Sequence, residues 1–120
     1  MTSSPAPPDT EQAEVIAFLA DPASYTPRAE RVDRIETHGA IVFLAGDVAL
    51  KIKRALKLSY LDFSTLEKRH AFCLREIEIN RPNAPEIYRD VVAVTREVEG
   101  ALAIGGAGTP IEWAVRMARF

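Results

Sequence analysis

The sequence predicts an α+β domain: a five-stranded antiparallel sheet with one long helix after strand 3, plus an N-terminal helix. Three observations lead to this prediction. Between residues 32 and 54, apolar and polar residues alternate in three short stretches joined by glycine-containing turns, which is typical of an antiparallel meander. A capping box, Ser64-Thr-Leu-Glu67, then begins a stretch with helical periodicity. Two further alternating stretches follow and complete the sheet.

The predicted elements divide the chain into three parts. Residues 1–8 are rich in proline, serine and threonine, so we expect a flexible leader there. Residues 9–30 comprise a helix capped by Asp9 and a polar connection. Residues 31–120 form the sheet domain. Its predicted strands are 32–37, 40–45, 48–54, 90–96 and 111–117, and its predicted helix is 65–81. The glycines at 105, 106 and 108 lack the lysine of a P-loop, which predicts a flexible hairpin loop.

The composition excludes several classes of protein. A hydrophobic fraction of 48% and a charged fraction of 27% are ordinary for a globular domain. No stretch approaches the ~18 consecutive apolar residues of a transmembrane helix, and the N-terminus does not resemble a secretory signal. The single cysteine, Cys73, excludes an internal disulfide. We therefore expect a cytoplasmic protein without membrane contact, and the net charge of -2 makes nucleic acid an unlikely partner.

The third predicted strand carries two lysines on one face. Alternation places Ala49, Lys51 and Lys53 on the same side of the sheet. In the V-A-x-K signature of kinases, the small alanine leaves room for adenine and the lysine reaches the phosphates. The alternative is that both lysines belong to the solvated face of an amphipathic strand.

A lysine in this role is held by a glutamate on the next helix. Glu76 lies on the flank of the predicted apolar stripe, whereas Glu67 serves the cap and Glu78 points away. Glu76 is therefore the predicted partner. The alternative is an intrahelical pair between Glu76 and Arg69 or His70.

The turn between the first two strands is a candidate contact for phosphate. Gly39 permits a close backbone approach, and Thr37 or His38 can donate to a phosphate oxygen. The turn lacks the G-x-G-x-x-G pattern of protein kinases. The alternative is that His38 and Gly39 are plain turn residues.

Several segments together resemble the N-terminal part of bacterial bifunctional aminoglycoside phosphotransferase/ATP-binding proteins. The resemblance covers roughly residues 30 to 120, and its most specific piece is Leu61-Asp-Phe-Ser-Thr-Leu-Glu67. The other segments are residues 36–54, 73–81, 84–88 and 112–117. Two departures stand out: Gly39-Ala40 replaces the usual Ile-Ser, and Leu50 replaces the usual aromatic residue before the lysine.

The resemblance implies the small lobe of a kinase-like fold, with ATP bound between it and a larger C-terminal lobe. It implies that Lys51 binds phosphate with Glu76 as its partner, although Lys53 fits the pattern too. Thr37 and His38 would lie over the phosphates, and backbone near Met117 to Arg119 would meet the adenine.

The catalytic residues of such a kinase are not expected in this chain. The sequence to Phe120 contains no H-x-D loop and no D-F-G-like metal ligand, so Mg²⁺ would be held by residues of the C-terminal lobe. We expect ATP binding without phosphoryl transfer by this chain alone, with that lobe, or a partner covering the same face, completing the site. The alternative is a protein-interaction module with a degenerate kinase-lobe fold.

Overall fold

The computed structural model describes residues 10–119, with side chains from residue 12 onward. The expected leader 1–8 and the cap Asp9 lie outside this range. Within it, the chain forms two α-helices, one short 3-10 helix and eight β-strands. The elements are α1 (Thr10–Leu19), the 3-10 helix (Pro22–Ser24), β1 (Val32–Glu36), β2 (Ala40–Ala45), β3 (Val48–Lys53), β4 (Lys57–Leu58), β5 (Leu61–Asp62), α2 (Leu66–Asn80), β6 (Tyr88–Arg96), β7 (Leu102–Ile104) and β8 (Thr109–Ala118).

Most of the described chain belongs to one antiparallel sheet. Its six strands lie in the order β1-β2-β3-β8-β6-β7, and the sheet curves into a half-barrel. β3 is central, because it pairs with β2 on one side and with β8 on the other. The strands β4 and β5 form a separate two-stranded hairpin.

The prediction of a five-stranded sheet with one long helix after strand 3 is wrong on two counts. A sixth strand, β7, pairs with the edge of β6, and the β4–β5 hairpin separates β3 from α2. Both were missed for the same physical reason. Strands of two or three residues are too short to display the alternation by which a longer strand is recognised in sequence.

The glycine-rich segment 105–108 is a crossover rather than the expected hairpin loop. It connects β7 to β8, and these strands pair with opposite edges of β6. The N–H groups of Gly106 and Gly108 donate to Thr95 Oγ1 (3.1 Å) and to Glu97 Oε2 (3.3 Å). A Cβ atom at Gly108 would lie 2.1 Å from the carbonyl oxygen of Arg96, so this crossing requires glycine.

The N-terminus of α2 is displaced by one residue from the predicted cap. Thr65, not Ser64, is the N-cap, and its Oγ1 accepts a hydrogen bond from the Lys68 N–H at 3.2 Å. The Ser64 hydroxyl donates to Asp62 Oδ1 instead, at 2.6 Å. The predicted capping box between Ser64 and Glu67 is therefore not formed, and the hydroxyl of the next residue serves the helix start instead.

Each face of the sheet is covered by one helix. On the α1 face, Val15 and Leu19 of α1 pack on a fully buried strand core. On the α2 face, Cys73 of α2 packs on residues of β2, β3 and β8. The alternation of β3 places Leu50 and Ile52 on the α1 face and Ala49 on the α2 face, as predicted.

A buried polar network connects both helices through the sheet. Glu112 of β8 is completely buried, and its Oε1 accepts from Arg69 Nε of α2 at 3.0 Å. Its Oε2 accepts from Gln12 Nε2 of α1 at 2.8 Å. Arg69 also donates to the carbonyl oxygen of Phe63 at 2.9 Å. A buried charge is tolerated when it is paired and hydrogen-bonded in this way.

Gln12 extends this network to the end of β3. Its Nε2 donates to the Lys53 carbonyl oxygen at 2.9 Å, and its Oε1 accepts from the Ala55 N–H at 2.8 Å. The side chain therefore replaces the strand partner that the backbone lacks where β3 ends.

Replacing Arg69 by methionine is expected to destabilise the fold by about 3–5 kcal/mol, because Glu112 then stays buried without its cation. Urea denaturation measures the change. The matched control is Lys68→Met on the neighbouring residue, whose pair with Asp62 lies at the surface, and we expect a much smaller effect there. The double variant Arg69→Met/Glu112→Leu should regain stability relative to Arg69→Met. Equal losses for Arg69→Met and Lys68→Met would contradict the structural role of this network.

Candidate functional site

The predicted lysines and glutamate meet on the α2 face of the sheet. Lys51 Nζ lies 3.1 Å from Glu76 Oε2, and Lys53 Nζ donates to Glu76 Oε1. We call these three side chains the ion cluster. Two lysines one residue apart on β3 point to the same face, and α2 crosses that face with Glu76 toward it. The alternative of two lysines in a solvated strand face is therefore wrong.

The intrahelical alternative for Glu76 is also not formed. Arg69 is engaged with Glu112, and the His70 ring stacks on Trp113 with 3.6 Å between the ring centroids. Glu76 instead binds across to β3. Its position follows from Cys73, which lies one turn earlier on α2 and is fully buried against the sheet.

The two lysines of the ion cluster differ in their surroundings. The Lys53 side chain is 9% exposed, and its Nζ lies 5.7 Å from the centre of the Phe63 ring. The Lys51 side chain is 29% exposed, whereas that of Glu76 is 12% exposed. Lys51 is therefore the more accessible cation, and Lys53 is enclosed.

The lysines keep Glu76 ionised. Burial by itself raises the pKa of this carboxyl, but hydrogen bonds from Lys53 and Lys51 and their positive charges outweigh it, and the pKa is lowered from 4.5. With two ammonium groups and one carboxylate, the ion cluster carries a formal charge of +1. A fixed positive charge in a partly buried position attracts anions more strongly than an exposed one does.

The turn residues lie at the Lys53 end of β3. Ala40 pairs with Lys53, and the Arg54 N–H donates to the Gly39 carbonyl oxygen at 2.8 Å. The N–H and Oγ1 of Thr37 both donate to the Ala40 carbonyl oxygen, at 2.9 and 3.3 Å. The Thr37 hydroxyl therefore closes the turn.

The β4–β5 hairpin packs against this turn. A Cβ atom at Gly39 would lie 3.0 Å from Leu61 Cδ2, so glycine allows the close approach. Tyr60 Oη lies 2.8 Å from His38 Nε2, and the two rings stack. Within residues 10–119, the backbone N–H groups of His38 and Gly39 have no hydrogen-bond acceptor.

The candidates for adenine contact lie toward the other end of β3. Ala49 pairs with Met117, and both are buried, at 0% and 4% exposure. Arg119 binds Asp33 at 3.2 Å, and its N–H donates to the Asp47 carbonyl oxygen at 2.9 Å. The Ala118 N–H donates to the Ile87 carbonyl oxygen at 2.8 Å. The structure thus brings Lys51, Lys53 and Glu76 together, but leaves this end of the strand closed by its own contacts.

A further cleft lies elsewhere. It has a volume of about 1310 Å³ and is lined by the 23–31 segment, by Leu50 and by Arg116. Leu50 belongs to the α1 face, so this cleft opens opposite the ion cluster. Of the predicted site residues, only Arg119 lines it. The described residues contain no group of three His, Cys, Asp or Glu side chains that could hold a metal ion.

Sequence reasoning missed Phe63 and Glu112. Phe63 encloses Lys53 and meets Phe72 edge-on with 4.9 Å between ring centroids. The sequence pattern predicts Glu112 only as part of a strand. A charged residue inside an apolar strand, as in Ile111-Glu112-Trp113, was the available signal, since such residues are rarely buried without a partner.

Comparison with known proteins finds a partial similarity. Over 57 residues, which are 48% of this chain, the sequence is 44% identical to an uncharacterized protein of Mycobacterium tuberculosis and to one of Mycobacterium bovis. The chain spans about a tenth of the length of these curated relatives, since the match covers 11% of each. No protein-family model matches the chain, and no solved structure does. The resemblance to aminoglycoside phosphotransferases stays a prediction.

No helix among residues 10–119 combines the length and the apolar character needed to cross a membrane.

The stability contributed by the ion cluster is expected to depend on pH. Because the folded-state pKa of Glu76 lies below its unfolded value, this contribution is present above about pH 4.5 and is lost as the pH falls through the folded pKa. Urea denaturation of the wild type and Glu76→Gln between pH 3 and 7 measures it. The stability difference between them should be constant at neutral pH and shrink in acid. A difference that grows toward low pH would contradict the assignment.

Cys73 is expected to resist alkylation in the folded protein. Burial raises the pKa of its thiol to about 12, and the thiolate is the reactive form. Mass spectrometry after treatment with iodoacetamide at pH 8 should show slow modification in buffer and fast modification in urea. Equal rates would show that the thiol is not enclosed by α2 and the sheet.

Proposed function

We propose that this chain provides the nucleotide-phosphate site of a small-molecule phosphotransferase that uses ATP. One observation carries the proposal: Lys51, a partly exposed lysine in the interior of a central strand, is paired with Glu76 of the helix that covers the same face. A strand interior holds a cation in a defined position. The same pair is the phosphate-binding element of many ATP-dependent kinases.

The ion cluster suits phosphate better than a metal ion. A phosphate oxygen accepts hydrogen bonds from ammonium groups, and Lys remains a common phosphate ligand. A magnesium ion at this position would face two ammonium groups and one carboxylate that is already hydrogen-bonded to both. Mg²⁺ that accompanies ATP would therefore be held by carboxylates outside the ion cluster, together with the phosphates.

Each group has a defined part in this proposal. Lys51 Nζ donates to a phosphate oxygen, and Glu76 holds Lys51 at the site before the phosphate binds. The free N–H groups of His38 and Gly39 lie at the Lys53 end of β3 and offer two further donors to the phosphates. Ala49, Met117 and Arg119 are assigned to the adenine end by the resemblance alone. Ala49 and Met117 are buried, and the Arg119 N–H already donates to the Asp47 carbonyl oxygen.

Phosphoryl transfer itself needs an aspartate that accepts the proton of the substrate hydroxyl. Within the part of the chain that the structure describes, Lys51 and Lys53 form ion pairs with Glu76 and with no aspartate. We propose that the catalytic base, the metal ligands and the acceptor site come from residues outside the ion cluster. A reducing cytoplasm suits the free thiol of Cys73.

The second candidate function is that of a protein-interaction module. It is favoured by three large apolar side chains of α2 that are between 42% and 54% exposed: Phe72, Leu74 and Ile79. Exposed apolar residues on one helix are a common feature of docking surfaces. Sedimentation analysis of the wild type and of Phe72→Ser/Ile79→Ser distinguishes self-association from a monomeric nucleotide-binding domain.

The wild-type chain is expected to bind Mg-ATP, and Lys51→Ala should weaken this binding about tenfold or more, since a charge-assisted hydrogen bond contributes about 1.5–3 kcal/mol. Isothermal titration calorimetry measures both affinities. Lys57→Ala is the matched control, because it removes an equal charge from β4, where the described residues offer Lys57 no ionic partner. It should stay within about twofold of the wild type. Indistinguishable heats for all three proteins would overturn the proposed function.

A further inference from the structure

The ion cluster contains one lysine more than a phosphate site of this kind needs. Lys51 and Lys53 bind different oxygens of Glu76, Oε2 and Oε1 respectively. Their exposures are unequal, since 29% of the Lys51 side chain but only 9% of the Lys53 side chain is accessible. The arrangement therefore consists of one accessible cation and one enclosed cation on the same carboxylate.

We propose that Lys53 is a positioning residue that holds Glu76 in place, so that Lys51 can leave Glu76 and bind the phosphate group of a nucleotide. This inference rests on the proposed nucleotide site. In the free protein, Glu76 is shared by both lysines. In the nucleotide-bound protein, Lys51 binds phosphate and Lys53 keeps Glu76.

The physical argument begins with the environment of Glu76. The carboxylate is 12% exposed, and a poorly solvated carboxylate that loses its only partner is strongly destabilised. If Lys51 were the only partner of Glu76, phosphate binding would have to compensate for the free energy lost when Lys51 leaves the carboxylate. Because Lys53 remains on Oε1, only the Oε2 contact is given up, and water can replace it at a partly exposed position.

Lys53 is restrained more than Lys51. Its ammonium group lies against the Phe63 ring, and its backbone carbonyl is held by Gln12 at 2.9 Å. The ammonium group of Lys51 has no such aromatic neighbour among the described residues and is more exposed, and it contacts Glu76 at 3.1 Å. The thiol of Cys73, one turn before Glu76 on α2, does not compete for this carboxylate as a charged group, because burial raises its pKa to about 12. The exchange of partners is therefore confined to Lys51.

The first test follows both ammonium groups in the wild-type chain. The ¹⁵Nζ and ¹³Cε resonances of the lysines are recorded while the Mg²⁺ complex of a non-hydrolysable ATP analogue is added. The chemical shifts of Lys51 should change on binding, and those of Lys53 should remain as they are in the free protein. A shift of the Lys53 resonances as large as that of Lys51 would overturn the division of roles. This measurement requires no substitution at Lys53.

The second test measures Glu76 without nucleotide. The pKa of its carboxyl is determined by ¹³C NMR in the wild type, Lys53→Met and Lys51→Met. Lys53→Met should raise this pKa more than Lys51→Met does, because Lys53 is the closer and more enclosed partner. An equal or smaller rise for Lys53→Met would overturn the positioning role, whether or not the protein binds nucleotide.

The third test measures affinity for the same analogue. Lys53→Met should weaken binding about tenfold, a factor that corresponds to ~1.4 kcal/mol, although Lys53 does not contact phosphate. Lys57→Met, the matched control on β4, should remain within about twofold of the wild type. Wild-type affinity in Lys53→Met would overturn the inference. If the wild type itself fails to bind, the proposed function is overturned, and the positioning role is decided by the pKa of Glu76 alone.

Discussion

The carboxylate of Glu112 determines which elements of this domain must come together. It is completely buried in β8, so it requires hydrogen-bond donors from neighbouring elements. Arg69 reaches it from α2, Gln12 reaches it from α1, and the Trp113 N–H donates to it from the same strand at 3.1 Å. Few other packings of the two helices would satisfy this charge. The network therefore acts against alternative arrangements of α1 and α2 on the sheet.

The same network places the ion cluster. Arg69 and Glu76 are seven residues apart, or two helical turns, so they lie on one side of α2. Fixing Arg69 on Glu112 and packing Cys73 on the sheet sets the rotation of the helix, and Glu76 then faces β3. Gln12 holds the carbonyl of Lys53 and so fixes the strand from the other side. The polar core thus orients both partners of the candidate site.

The ion cluster was predictable from sequence, whereas the buried contacts and short strands that surround it were not. Alternation gives the face of Lys51 and Lys53, and the helical period gives the side of Glu76; both are local properties of the chain. The pairing of Arg69 with Glu112 joins residues 43 positions apart and depends on register between elements. The β4–β5 hairpin and β7 were not predicted for a different reason: each of these strands has only two or three residues. The predicted five-stranded fold failed at these short elements.

The Arg69–Glu112 pair and the ion cluster differ in charge balance and in exposure. Arg69 and Glu112 are matched in charge, are 5% and 0% exposed, and leave no capacity for a ligand. Lys51, Lys53 and Glu76 are unmatched, and exposure increases from Lys53 to Lys51. Burial of a fully paired charge stabilises one packing over its competitors. The ion cluster instead carries an excess positive charge that reaches solvent at Lys51, and this is the feature on which the proposed phosphate site rests.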